Sequence, residues 1–167
     1  MSQVDYSRDF SAFFADMIAV EGAFGPRPIL PAFLDEWLKI AFPGPDGDPK
    51  ARNIGDFRTK KEGKSALAGA VALYMASRKA YSEVVITASD KDQAADRVLR
   101  AAKYAVEKGP LADHAKVYKD VIELDNHSTI LAMPNDWQGA AGGNYSCVIF
   151  DELHAWRSEE HTSELQS

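Results

Sequence analysis

Apolar residues change their spacing several times along the chain, and each change marks an element. Phe10, Phe13, Phe14, Met17 and Ile18 fall on one helical stripe, and Ser7 stands where it can cap a helix over about 8–21. GAFGPRP interrupts it. Pro31 then suits the first turn of a second amphipathic helix, about 31–42, that carries Phe33, Leu34, Trp37, Leu38 and Phe42. PGPDGDP, 43–49, is a loop by its turn chemistry. A short strand is expected near Asn53–Phe57. From Ser65, SALAGAVALYMA is apolar on nearly every side, which predicts a helix buried on most of its surface. EVVITA, 83–88, is a short β-branched run and predicts a buried strand. Asp90 can cap the helix that follows, which Gly109-Pro110 closes. KVYKDVIELD and STILAMP read as two further strands, and CVIFDE, 147–152, as a fully buried strand in the sheet centre that ends in two acids. Strands alternating with helices predict an α/β layer with a mainly parallel sheet.

Composition narrows the class. At 167 residues the chain suits one domain with a real core. No apolar run approaches the roughly 18 residues of a membrane span, and MSQVDYSRDF lacks the pattern of a secretory signal. The single cysteine, Cys147, excludes an internal disulfide and suits a reducing compartment. A net charge of −6 argues against a protein that coats nucleic acid by bulk charge, though not against a motor that touches DNA with one loop.

The chemistry concentrates at TKKEGKS, 59–65, between the expected strand and the buried helix. A phosphate-binding loop, G-x-x-x-x-G-K-[ST], ends in this way and occupies this context. Helix N-terminal N–H groups and the helix dipole attract an anion. Gly63 permits close backbone approach, Lys64 would reach the β and γ phosphates, and the Ser65 hydroxyl would ligate Mg²⁺. The first glycine of the pattern is replaced by Arg58; Arg58, Lys60 and Lys61 add positive charge beside Glu62 and Gly63, where solvated charge is the plain alternative. The second half lies 87 positions after Lys64. Asp151 would hold Mg²⁺, largely through water, and Glu152 would orient and polarise an attacking water. Both acids would emerge at the strand's C-terminal edge, where open parallel sheets bind ligands. The alternative is a pair of solvated acids.

Three stretches, FRTKKEGKSALAGAVALY, SEVVITASDKDQAADRVLRAA and QGAAGGNYSCVIFDELHAW, resemble successive blocks of the large subunit of tailed-phage terminases. The resemblance runs from about Gly22 to Trp156. It implies an additional-strand ATPase of the P-loop class, with ATP and Mg²⁺ as cofactors. Nucleotide binding would fall to Lys60, Lys61, Glu62, Gly63, Lys64 and Ser65, metal to Ser65 and Asp151, and catalysis to Lys64 and Glu152. By position Lys60 is the extra basic loop residue of that family. The implied role is a motor that drives double-stranded DNA into a capsid in the host cytoplasm. Its partners would be a terminase small subunit, a portal protein and further copies in a ring, with no membrane.

The chain departs from that family's pattern at two places. Leu34 stands where the family carries a glutamine that reads adenine. No coupling motif or nuclease domain follows the acidic strand, so the chain reads as the front part of a longer gene product, with slow turnover and no DNA cleavage expected of it. RSEEHTSELQS, 157–167, matches the in-frame translation of a sequencing-library adapter. This divides the chain into a helical lead-in over 1–50, a partial ATPase core over 51–156 and a non-biological tail. Another nucleic-acid-directed additional-strand ATPase of the helicase kind, or a nucleotide-binding module without turnover, stays open. Asp90, Asp92 and Gln93 read as cap and helix surface, His154 and Trp156 as packing after the strand, and Gly139, Gly142 and Gly143 as a turn. His114, His127 and His161 share no metal-ligand spacing.

Overall fold

The computed structural model describes residues 6, 9–22, 32–42, 53–56, 62–88, 95–133 and 143–151. Helix α1 spans Phe10–Met17, shorter than its stripe. Its cap is Asp9, whose carboxylate accepts from the Ala12 N–H at 2.9 Å. Ser7, the expected cap, lies outside the described residues. The chain leaves the helix at Ile18, which is extended but still buried. Helix α2 spans Ala32–Ala41 and lies against α1. The Ser11 hydroxyl donates to Asp35 at 3.1 Å and joins the pair.

Helix α3, Lys64–Arg78, has no exposed residue, as its composition predicts. Tyr74 at its middle is fully buried. Phe10 meets the Tyr74 ring edge-on at 5.0 Å between centroids, with Phe13 at 5.4 Å and Phe42 at 5.6 Å. Phe10 and Phe42 stack at 5.0 Å. Aromatic pairs of this kind contribute about 0.5–1.5 kcal/mol each beyond their area. The lead-in segment thus packs its aromatic rings against α3 and shares one core with it.

Among the described residues five strands form one sheet in the order β2-β3-β4-β1-β5. They are β1 Glu83–Ala88, β2 Ala115–Val117, β3 Val121–Leu124, β4 Thr129–Met133 and β5 Cys147–Asp151. Strand β1 is parallel to both β4 and β5, whereas β3 is antiparallel to β4 and β2 to β3. The sheet is therefore mixed rather than mainly parallel. KVYKDVIELD is not one strand but two, folded back at Tyr118–Asp120, and Asp125–Ser128 turns β3 into β4. Connections this short allow only antiparallel pairing.

The acidic strand β5 also differs from expectation. Among the described residues it pairs with β1 alone, so it forms an edge of the described sheet and not its centre. Val148 and Phe150 stay 39% and 49% exposed, so the strand is half-buried. Asn53–Asp56, the described part of the strand expected before the loop, takes no place in the sheet, and Phe57 lies outside the described residues.

Beyond β1 a π-helical turn, Ala95–Leu99, runs into helix α4, Arg100–Lys108. Helices α3 and α4 touch backbone to backbone at Gly69. A Cβ there would sit 2.9 Å from the Ala102 nitrogen and 3.1 Å from the Val98 oxygen. Only glycine permits this separation without moving a helix.

Candidate functional site

The site begins at Gly63, which caps α3 in the left-handed conformation at φ 74° and ψ 19°. Residues with a Cβ enter this region at a cost of roughly 1–2 kcal/mol. The Gly63 carbonyl accepts the first helical bond from the Leu67 N–H at 3.0 Å. Having no side chain, Gly63 leaves the opening turn without a side-chain cap. A Cβ at Gly63 would meet nothing within 4 Å, so the space over the turn is open. Lys64 and Ser65 are the first two helical residues, both half-buried, and Glu62 is exposed just before them. Ser65 is therefore inside the helix and does not cap it.

Chain direction brings this turn to the acidic strand. Only Lys79–Ser82 connects α3 to β1, and α3 packs on the sheet face formed by β1, β4 and β5. The helix must therefore run antiparallel to β1. Its fifteen residues span about 22 Å at 1.5 Å per residue. The six residues of β1 span about 20 Å. An α3 that ends beside the start of β1 thus begins beside its end, at Ala88. Ala88 is in register with Asp151 of the parallel strand β5. The N-terminus of α3 and Asp151 consequently share one edge of the sheet. Alternation places Asp151 on the same face as Cys147 and Ile149, which pack into the core shared with α3.

The opposite end of α3 is tied down. Asn126 donates to the Ala76 carbonyl at 2.9 Å, and the Ser82 and Ser128 hydroxyls donate to the Lys79 carbonyl at 2.8 and 3.0 Å. These bonds satisfy C-terminal carbonyls that the helix cannot satisfy itself. They fix the helix lengthwise and hence the height of Gly63 over the sheet edge.

A cleft of about 240 Å³ opens beside the same turn. Ile18–Glu21, the chain just beyond α1, line part of it. Ser65 and Ala66 line it from α3, and Arg97, Arg100, Ala101 and Tyr104 complete the lining. Sequence reasoning missed these last residues. Their signal was the spacing of two arginines and a tyrosine at i, i+3 and i+7, which lays them on one helical stripe.

Leu34, which the resemblance sets opposite an adenine-reading glutamine, is buried in the core and does not line the cleft. Arg58, Lys60, Lys61, Glu152, Asp90, Asp92, Gln93, His154 and Trp156 lie outside the described residues. Among the described residues no three His, Cys, Asp or Glu side chains converge as a metal cluster. Burial pushes the Cys147 thiol up to about 11, which leaves it protonated and unreactive near neutral pH.

The family model for the terminase large subunit, ATPase domain, matches residues 54–167. The chain belongs to this family. The match opens just ahead of the phosphate-loop segment and includes α3, the whole sheet and the acidic strand. It also runs on through 157–167, the stretch that reads as adapter translation. No curated protein matches the chain. Membership in the terminase ATPase family implies nucleotide binding and ATPase chemistry in general, and a part in DNA packaging. No helix among the described residues is long and apolar enough to cross a membrane.

Proposed function

We propose that the chain is an ATP-hydrolysing motor domain of a phage terminase, built on a P-loop fold, that powers the packaging of double-stranded DNA. The supporting observation is the shared sheet edge of Gly63–Ser65 and Asp151. Two segments distant in sequence supply the two halves of one phosphate and metal site.

Each residue has a role in that site. The Gly63 turn and the N-terminal dipole of α3 receive a phosphate group. Lys64 neutralises the β and γ phosphates in the ground state. Lys60 and Lys61 add charge on the entering loop, in place of the backbone geometry lost with the first glycine. The Ser65 hydroxyl and Asp151 carboxylate are hard oxygen donors. That set suits Mg²⁺, which keeps several waters and takes one or two carboxylates with substrate phosphates. When bound, the ion would neutralise charge on the β and γ phosphate oxygens. Glu152, next after Asp151, holds the attacking water and takes its proton. Membership in the terminase family favours this reading over a helicase. The small subunit, the portal and neighbouring copies in a ring are the partners proposed with it.

Phosphate release with and without Mg²⁺, read beside ATP affinity, tests the assignment. Parent chain should release phosphate only with Mg²⁺. Glu152→Gln should lower release by about 10²-fold or more while ATP affinity holds, because a general base acts in the transition state. Lys64→Ala should weaken ATP binding itself. Equal loss of affinity in both variants would contradict the roles. Tight ATP binding without any release would leave a nucleotide-binding module.

A further inference from the structure

Apart from Ser65, the residues that line the cleft have no part in the roles above, yet the lining is specific. Arg97 and Arg100 bring two cations to the first turn of α3. Tyr104 adds a half-buried aromatic ring on the same stripe, opposite the apolar Ile18 and Val20. Glu21 adds a carboxylate at the rim that can accept from an amine. Cations beside an aromatic and apolar wall suit a ligand that is part anion and part flat ring.

Size and direction identify which part of a ligand enters. At about 240 Å³ the cleft is below the ~300–1,000 Å³ that encloses a whole drug-sized ligand. It takes one end of a larger molecule. Asp151 stands on the β5 side of α3, where the metal and terminal phosphates belong. The cleft opens on the flank of Ser65 and Ala66 that faces α4 and the chain after α1. A single ligand across both regions has phosphate at one end and a ring at the other. The backbone contact at Gly69, one helical turn along from Ser65, holds the two helices at a fixed spacing and so preforms the cleft.

We propose that this cleft is the nucleoside end of the ATP site, with the purine against Tyr104 and the α-phosphate beside Arg100. The proposal rests on the ATPase reading. It supplies a base-recognition surface in place of the one that Leu34 cannot provide.

Calorimetric titration with ATP and with inorganic pyrophosphate tests it. Pyrophosphate presents the terminal groups without α-phosphate, sugar or base. Tyr104→Ala and Arg100→Glu should each weaken ATP at least about tenfold, the scale of a lost base stack or charged hydrogen bond. Both should leave pyrophosphate affinity within twofold of parent. Lys64→Ala should weaken both ligands. Arg100 is exposed, so Arg100→Glu will fold even where Tyr104→Ala does not. ATP affinity unchanged in Arg100→Glu, or equal weakening of both ligands, overturns the cleft while the Lys64 effect still upholds the ATPase reading. A parent chain that binds neither ligand overturns both.

Discussion

Gly69→Ala sets two opposed effects against each other, and the structure says which wins. Within an isolated helix the change is favourable by about 0.8–1.0 kcal/mol, because alanine is the better helix former. Here the new Cβ would lie 2.9 Å from the Ala102 nitrogen and 3.1 Å from the Val98 oxygen. Both obstacles are backbone, so no side chain can swing aside. The helices must separate by a few tenths of an ångström along a contact that includes the fully buried Val98, Leu99 and Ala102. Overpacking of this kind costs typically about 1–3 kcal/mol. The balance is a net loss of up to about 2 kcal/mol, or a fall in Tm of up to roughly 8 °C for a chain of this size. Because the contact also sets the spacing of Arg97 and Arg100 from Ser65, ATP affinity should fall as well. Thermal melting followed by circular dichroism, with ATP titration at a temperature where both proteins are folded, reads the two effects. A Tm equal to or above that of the parent would show that helix propensity dominates and that α3 and α4 are not in backbone contact.

Two further predictions concern Cys147 and the tail. Cys147 should resist alkylation near pH 8 and react steeply faster as pH approaches 11, since burial raises its pKa to about 11 from the ordinary thiol value of 9.0. Between those values the folded chain holds a proton that the unfolded chain has lost, so the thiol's contribution to stability should fall as pH rises from about 9 to 11. Fast labelling at pH 8 under native conditions would contradict the burial. Deleting 157–167 should leave Tm and ATP affinity unchanged within error, because the stretch offers one leucine as its only aliphatic anchor against the entropy of ordering. A marked loss of either would show that the tail is part of the domain, in line with the family match that runs through it.

Much of the scaffold was legible because local pattern and tertiary role agree. EVVITA is β1 residue for residue, and the apolar run after Gly63 is a helix with no exposed position. The lead-in helices were legible as stripes but not in their ends. Asp9, two residues past the expected cap, wins the N–H of Ala12, and helix boundaries follow such single bonds. The fold-back at Tyr118–Asp120 was hidden because YKD contains no glycine, proline or asparagine to mark a turn. An apolar composition predicted β5 as central. Its neighbours are decided by non-local pairing, which no run of residues encodes, and β5 lies at an edge of the described sheet with Phe150 half in solvent. The juxtaposition of Gly63–Ser65 with Asp151 was inferred from motif order. Its physical basis is the short α3–β1 connection and the register of Ala88 with Asp151. The arginines of the cleft were invisible for a related reason. Arg97 and Arg100 look like ordinary helix surface until α3 and the chain after α1 are placed beside them.

A crystal structure with Mg²⁺ and a non-hydrolysable ATP analogue tests the central claim most directly. The phosphates should lie over Gly63 and Lys64, with the Ser65 hydroxyl and the Asp151 carboxylate joined through one metal ion and its waters. A separation between those two groups beyond about 10 Å, too far for any metal and water bridge, or a nucleotide bound away from the first turn of α3, would contradict it.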